Sequence, residues 1–397
     1  MDQVQRLAEL AVRVGANVQP GQIVSVGCEP GKEFLTRAVA AEAYKAGARF
    51  VDVQWYDPWV KRARIEHAGD DTLEFVPSWY GERMLALGEQ RAARIAFSGP
   101  AAPGVLDGLD PVRAGRDRLP SIKESSQVMS ARTTNWNIVP CPSPSWAGLV
   151  HPGLEPAEGL AKLWEQIVHV CRLDEDDPAA VWEARRVELE TAGARLTERH
   201  FDALHYEGPG TDLTIGLLPG HKWLSGGMRT VDGLDHMANL PTEEVFTSPD
   251  PERTEGVVAS TMPLVLLDGT VVNDLVVRFE GGRITQLDAS SAAETMRTII
   301  ARDEGAARLG EAALVDASGR IGPLDTVFYD TLLDENAASH LAIGVGFPMV
   351  VEGEASARVN ESEIHIDFMI GSPELNVTGI TADGERVPVL MGGHWKL

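Results

Sequence analysis

"GQIVSVGCEPGKEFLTRAVAAEAYKAGARFVDVQWYD", Gly21–Asp57, contains a complete strand–helix–strand unit. "GQIVSVGCEP" is a short β-rich run bounded by glycine and proline. "EFLTRAVAAEAYKAGA" has helical apolar spacing and ends at Gly47, and "RFVDVQWYD" is β-rich again. Strands joined through a helix lie parallel in one sheet and are covered by their helices. The same order extends both ways. "VQRLAELAVRV" supplies a preceding helix, and "GERMLALGEQRAARIAFSG" repeats helix then strand. The pattern runs on to "EGLAKLWEQIVHVCRL" and a long polar helix around Ala179–Thr197.

The second half is written differently. "LTIGLL", "MPLVLL", "TVVNDLVVRFEGGRITQLDA" and "ITADGERVPVLMGG" are short strands with tight turns, and Gly281-Gly282 and Asp383-Gly384 are hairpin signals. One helix is expected over Ser291–Leu309 and another from about Asp334. The expected fold is an α/β domain with a mostly parallel sheet over residues 1–190, followed by a β-rich α+β domain over 191–397. "GPGTDLTIG" has glycines but lacks the strand–turn–helix frame of a phosphate loop. "CPSPSW" reads as a proline-stiffened turn. A serine hydrolase is disfavoured, because the chain lacks a GxSxG elbow.

Composition narrows the function. The formal net charge of -24 opposes binding to nucleic acid or an anionic membrane and favours cationic partners, metal ions included. The N-terminal stretch has no basic-then-apolar signal pattern. No run of about 18 apolar residues suggests a membrane span. The three cysteines, Cys28, Cys141 and Cys171, are few and far apart. That pattern suits a reducing cytoplasm and opposes both a disulfide framework and a cysteine zinc site.

Four segments of the β-rich half concentrate polar chemistry. In "SEIHIDFMIGS", His365 and Asp367 share one face of a strand while Ile364, Ile366 and Phe368 take the other. A structural His–Asp hydrogen bond and a metal or catalytic site both fit that pair. "FYDTLLDENAASHLAIGVGFP" crowds Asp330, Asp334, Glu335 and His340 together, and reads as a helix start with His340 a turn or so further in. In "ARDEGAARLGEAALVD", Glu311 stands where a helix gives way to a buried segment. In "NLPTEEVFTSP", Glu243 and Glu244 point to opposite faces if the stretch is extended. Two imidazoles and at least three carboxylates suit Zn²⁺, Co²⁺ or Mn²⁺, and exceed what one catalytic zinc uses. They suit a pair of divalent ions with one bridging carboxylate, a centre that activates water and polarises a carbonyl.

These same segments, with "PGQIVSV" and "HKWLSGG", resemble the M29 family of metallo-aminopeptidases over essentially the whole chain. The resemblance implies an N-terminal α/β domain, a β-rich domain carrying the metals, and a cytoplasmic homodimer that removes N-terminal residues from small peptides. It puts the metal ligands on Glu244, Glu311, His340, His365 and Asp367, with Glu311 bridging. Glu243 or Glu335 is the candidate acceptor of the water proton. The family places a tyrosine, proposed to stabilise the tetrahedral intermediate, where this chain has Phe347 in "HLAIGVGF". Phenylalanine donates no hydrogen bond. The stretch after it also looks shorter than in typical members. Two further readings follow: a diverged hydrolase acting on a specialised amide, and a weakly active or non-catalytic homologue.

Overall fold

The computed structural model describes residues 2–117, 119, 122–266 and 270–397. The chain forms two compact units. One comprises residues up to Glu183 together with Gly227–Pro241, and the other comprises Ala184–Gly226 together with Thr242–Leu397.

The first unit contains β1 (Ile23–Cys28), β2 (Phe50–Trp55), β3 (Ala93–Ser98) and β4 (Asn135–Pro140). All pair in parallel, in the order β2-β1-β3-β4. The helix Glu33–Lys45 returns the chain from β1 to β2, burying Leu35, Val39 and Ala43 at helical spacing. The strand–helix–strand expectation for Gly21–Asp57 is therefore met. The 227–241 segment covers the outer edge of β4: Ile138 N donates to Ala238 O at 2.8 Å, and Leu240 N to Ile138 O at 3.1 Å. "CPSPSW" is a helix start rather than a turn. Ser143 Oγ accepts from Trp146 N at 3.2 Å and caps the helix Pro144–Val150, whose first residue is proline.

The second unit is built on two antiparallel sheets. The larger has eight strands, running in space from Arg283–Asp288 at one edge through Pro249–Ala259, Thr211–Leu217 and Ala203–Gly208 to His394–Trp395 at the other. Gly281 and Gly282, both at positive φ, close its edge hairpin. The glycines of "GPGTDLTIG" also form a hairpin, with Gly208 opposite Thr211. Of "MPLVLL", Leu264–Val265 forms a strand beside Val271–Val272, and Leu267 lies outside the described residues.

The smaller sheet has five strands: β5 (Leu224–Ser225), β6 (Glu244–Thr247), β7 (Leu309–Val315), β8 (His340–Gly344) and β9 (His365–Met369), in the order β9-β8-β7-β6-β5. Val245, Ala312, Leu314, Leu341, Ile343 and Phe368 belong to the apolar core that this sheet shares with the larger one. Alternation sends their neighbours to the opposite face.

Two helix expectations are corrected. The helix expected over Ser291–Leu309 spans Ala293–Ile300, followed by a 3₁₀ turn at Gly305–Ala307, and Leu309 already opens β7. The helix expected to carry His340 runs only from Thr331 to Glu335, capped by the Asp330 carboxylate on Leu333 N. His340 is the first residue of a strand instead. "HLAIG" is too short for its apolar content to separate helix from strand, and pairing on both sides decides it. Among the described residues, no helix is long and apolar enough to cross a membrane.

Candidate metal centre

Strand register brings the acidic and imidazole side chains together. Ala342 lies between Glu311 on one neighbouring strand and Asp367 on the other, His340 pairs with Ala313, and Gly344 pairs with His365. Phe246, two residues after Glu244, pairs with Ala313. Glu244, Glu311, His340, His365 and Asp367 thus project from four adjacent strands onto the face away from the shared core. Glu311 arrives there through a bulge. Leu309 pairs with Ile343 but Glu311 with Ala342, so Gly310 is the extra residue and the strand changes face across it. A Cβ at Gly310 would lie 2.3 Å from Gly344 O, so only glycine fits this bulge.

Two donor groups result, each with candidate ligand atoms within 4.8 Å of one another: Glu244, Glu311 and His340, and Glu311, His365 and Asp367. Glu311 is common to both. His340 Nε2 lies 3.1 Å from Glu244 Oε2. His365 Nε2 lies 3.1 Å from Glu311 Oε2 and 3.3 Å from Asp367 Oδ1. Each ring's other nitrogen meets a main-chain carbonyl, His340 Nδ1 at Ala338 O (3.2 Å) and His365 Nδ1 at Val345 O (2.8 Å). Such a bond holds the proton on Nδ1 and aims Nε2 at the carboxylates.

The site's electrostatics reflect crowding of negative charge under burial. Burial lowers the affinity of His340 for a proton, but its hydrogen bond to Glu244 and the charges of Glu244, Asp367 and Glu311 more than reverse this, to a pKa of about 10. His365 is likewise raised well above its ordinary value; burial opposes this, and Asp367 and Glu311 override it. Burial raises Glu311, which Glu244 and Asp367 reinforce against the pull of His365. Burial also pushes Asp367 upward, but the two imidazoles carry it net below the usual range.

Glu335 and Glu243, the two candidate proton acceptors, have different surroundings. Glu335 is half-buried, and burial with the charges of Asp367 and Glu244 holds it far above the ordinary glutamate range. Glu243 is fully buried and its Oε2 accepts from Arg185 Nε at 2.6 Å. Phe347 lies beside the centre, its ring centroid 5.3 Å from that of His365 and 5.4 Å from that of Phe246. Its main-chain N–H donates to Ser248 Oγ at 2.8 Å.

Arg185 and Asn336 carry no distinguishing signal in the sequence. Arg185 sits in "EARRVELE", where nothing separates it from solvent-facing arginines. Asn336 follows the two acids of "DENA" and resembles any helix-ending asparagine. Its amide oxygen accepts from Glu243 N at 2.7 Å.

The sequence profile of the thermophilic metalloprotease (M29) family matches residues 1–395. The chain belongs to the M29 family. Aminopeptidase T of Thermus aquaticus is 43% identical over 406 residues, covering 100% of this chain and 99% of that protein. Aminopeptidase T of Thermus thermophilus is 42% identical, covering 99% of this chain and 98% of that protein. The solved structure of wild-type AmpT from Thermus thermophilus superposes with a TM-score of 0.92 at 41% identity, covering 100% of this chain and 99% of that one.

Membership in the M29 family implies a divalent metal, and the donor set fits one. Carboxylate oxygens converge with imidazole nitrogens already aimed inward, and acids outnumber imidazoles. Oxygen and nitrogen donors of this kind accept Zn²⁺, Co²⁺ or Mn²⁺.

Proposed function

We infer that this protein is a metal-dependent aminopeptidase that hydrolyses the N-terminal peptide bond of small peptides at a centre of two divalent ions. One observation carries the reading: two donor groups on one sheet face have Glu311 in common. Glu244, Glu311 and His340 would hold one ion, and Glu311, His365 and Asp367 the other, so Glu311 would serve both. When bound, ions of this class lower the pKa of a water and polarise the scissile carbonyl.

The chain's own side chains do the rest. The carbonyls of Ala338 and Val345 keep the Nδ1 protons of His340 and His365 in place, so that the Nε2 atoms stay available as donors. Glu335 takes the proton of the attacking water and returns it to the leaving amine. Cations among its acidic neighbours would cancel the repulsion that otherwise keeps it protonated. Glu243 is disfavoured in that role, because its carboxylate is committed to Arg185. Phe347, with Phe246, forms an apolar wall beside His365. That wall favours a second reading, a narrower amide substrate, since the ring carries no hydroxyl to meet a developing oxyanion. A homodimer and a reducing, cytoplasmic location complete the proposal; the three buried free cysteines suit the latter.

Metal analysis of the purified protein, paired with hydrolysis of aminoacyl-anilides, tests the centre. About two ions per chain are expected, with activity abolished by chelation and restored by Zn²⁺, Co²⁺ or Mn²⁺. Glu311→Gln should lose both ions together, whereas Asp367→Asn should lose one preferentially. Loss of a single ion from Glu311→Gln would overturn the bridging role. Absence of metal-dependent release from every anilide would overturn the peptidase reading.

A further inference from the structure

Asn336 ends the short helix that carries Glu335, and its side chain is buried at 1% exposure. All three of its amide contacts lie within the second unit. Oδ1 accepts from Glu243 N at 2.7 Å. Nδ2 donates to Leu332 O at 2.9 Å and to Glu335 Oε1 at 3.4 Å. These partners fix which end of the amide is oxygen: a main-chain N–H requires an acceptor, and a carbonyl and a carboxylate require donors.

One planar group therefore spans two points of the centre. On one side it grips the main chain immediately before Glu244. On the other it touches the carboxylate of Glu335. The bond to Leu332 O anchors it to the helix between them. A helix end needs no buried amide for its own sake, because water or a glycine turn can satisfy its last carbonyls.

We propose that Asn336 is a positioning residue, which ties the Glu335 carboxylate to the main chain immediately before Glu244. It acts through Glu335 and does not touch substrate. The inference rests on the reading of Glu335 as proton acceptor. Asn336 makes that role geometric, because its amide donates to the half-buried Glu335 carboxylate. One amide thus links the Glu335 carboxylate to the residue that precedes the strand whose first residue is the ligand Glu244.

The test is a double-mutant cycle on the metal-loaded, full-length protein. Asn336→Asp keeps an oxygen for Glu243 N and removes the donation to Glu335. It should retain its metal and a KM within about threefold of the parent, while kcat on an aminoacyl-anilide falls on the order of tenfold. In a Glu335→Gln background the same substitution should change kcat by less than about twofold, because the residue it acts through is already gone. Asn336→Ser, neutral but too short to span both partners, should show the same dependence on Glu335 and serves if the aspartate variant does not fold. Unchanged kcat in Asn336→Asp, or an equal loss in both backgrounds, overturns the positioning role. Loss of metal or a proportional rise in KM would mark Asn336 as structural and also overturns it. A fully active Glu335→Gln instead overturns the reading of Glu335 itself, whatever Asn336 does.

Discussion

The ring of Phe347 lies against His365 at 5.3 Å and meets Phe246 edge-on at 5.4 Å. A hydroxyl added to that ring would project from the apolar wall next to a candidate ligand. Phe347 N is tied to Ser248 Oγ, so the main chain is anchored and the substitution should be accommodated locally. A positioned oxyanion donor is worth on the order of 10²–10³ in rate. Phe347→Tyr should accordingly raise kcat on general aminoacyl-anilides by about tenfold or more, with little change in KM. Steady-state kinetics on a substrate panel checks this. No gain on any substrate would mean that the missing hydroxyl does not limit the reaction.

At the scale of elements, the site depends on strand register more than on any one side chain. Gly344 faces His365 across β8 and β9 at φ +104, and a Cβ there would sit 2.1 Å from Ile364 O. Gly344→Ala should cost about 3 kcal/mol or more by combining backbone strain with a main-chain clash. The clash falls beside His365, so weaker metal binding should accompany the lower thermal midpoint, as metal titration followed by thermal unfolding would record. An alanine variant with parental stability and metal affinity would refute the importance of this register. The same register separates what the sequence revealed from what it hid. The pair His365–Asp367 was legible because a strand's period of two puts both on one face. The βαβ unit around Gly21–Asp57 was legible because glycine and proline bracket each β-rich run. His340 reads as helical because the three apolar residues Leu341, Ala342 and Ile343 fit both periods, and only pairing with Ala313 and Met369 decides between them. The turn of Glu311 was hidden because a bulge at Gly310 breaks the alternation, which no local pattern announces. Arg185 and Asn336 were hidden because the partner they share, Glu243, lies 58 and 93 residues away in the chain.

At the scale of the whole molecule, a chain with formal net charge -24 repels its own copies, so self-association must rest on apolar contact. The first unit offers such a surface along β2, whose outer side is an open sheet edge among the described residues. Tyr44, Phe50, Trp55, Trp59, Phe75 and Trp79 are each at least half exposed. Hydrogen bonds gather them into one neighbourhood. Arg83, on the helix that carries Trp79, forks onto Asp52 of β2 at 3.1 and 2.6 Å. Arg64, on the helix that carries Trp59, reaches Phe75 O at 2.7 Å. Tyr44 Oη accepts from Val51 N at 3.1 Å. Large aromatics of this kind together expose roughly 600 Å², and with their aliphatic neighbours approach the about 800 Å² per partner that a stable interface uses. The expected occupant is a second copy of the chain. Light scattering during size exclusion should give twice 42.9 kDa for the parent, and that mass should survive high salt because the contact is apolar. The double variant Trp59→Glu with Phe75→Glu should elute as a monomer and keep its metal, since the donor residues lie in the other unit. A parent that is monomeric at micromolar concentration, or a double variant that stays dimeric, would remove this face as the dimer interface.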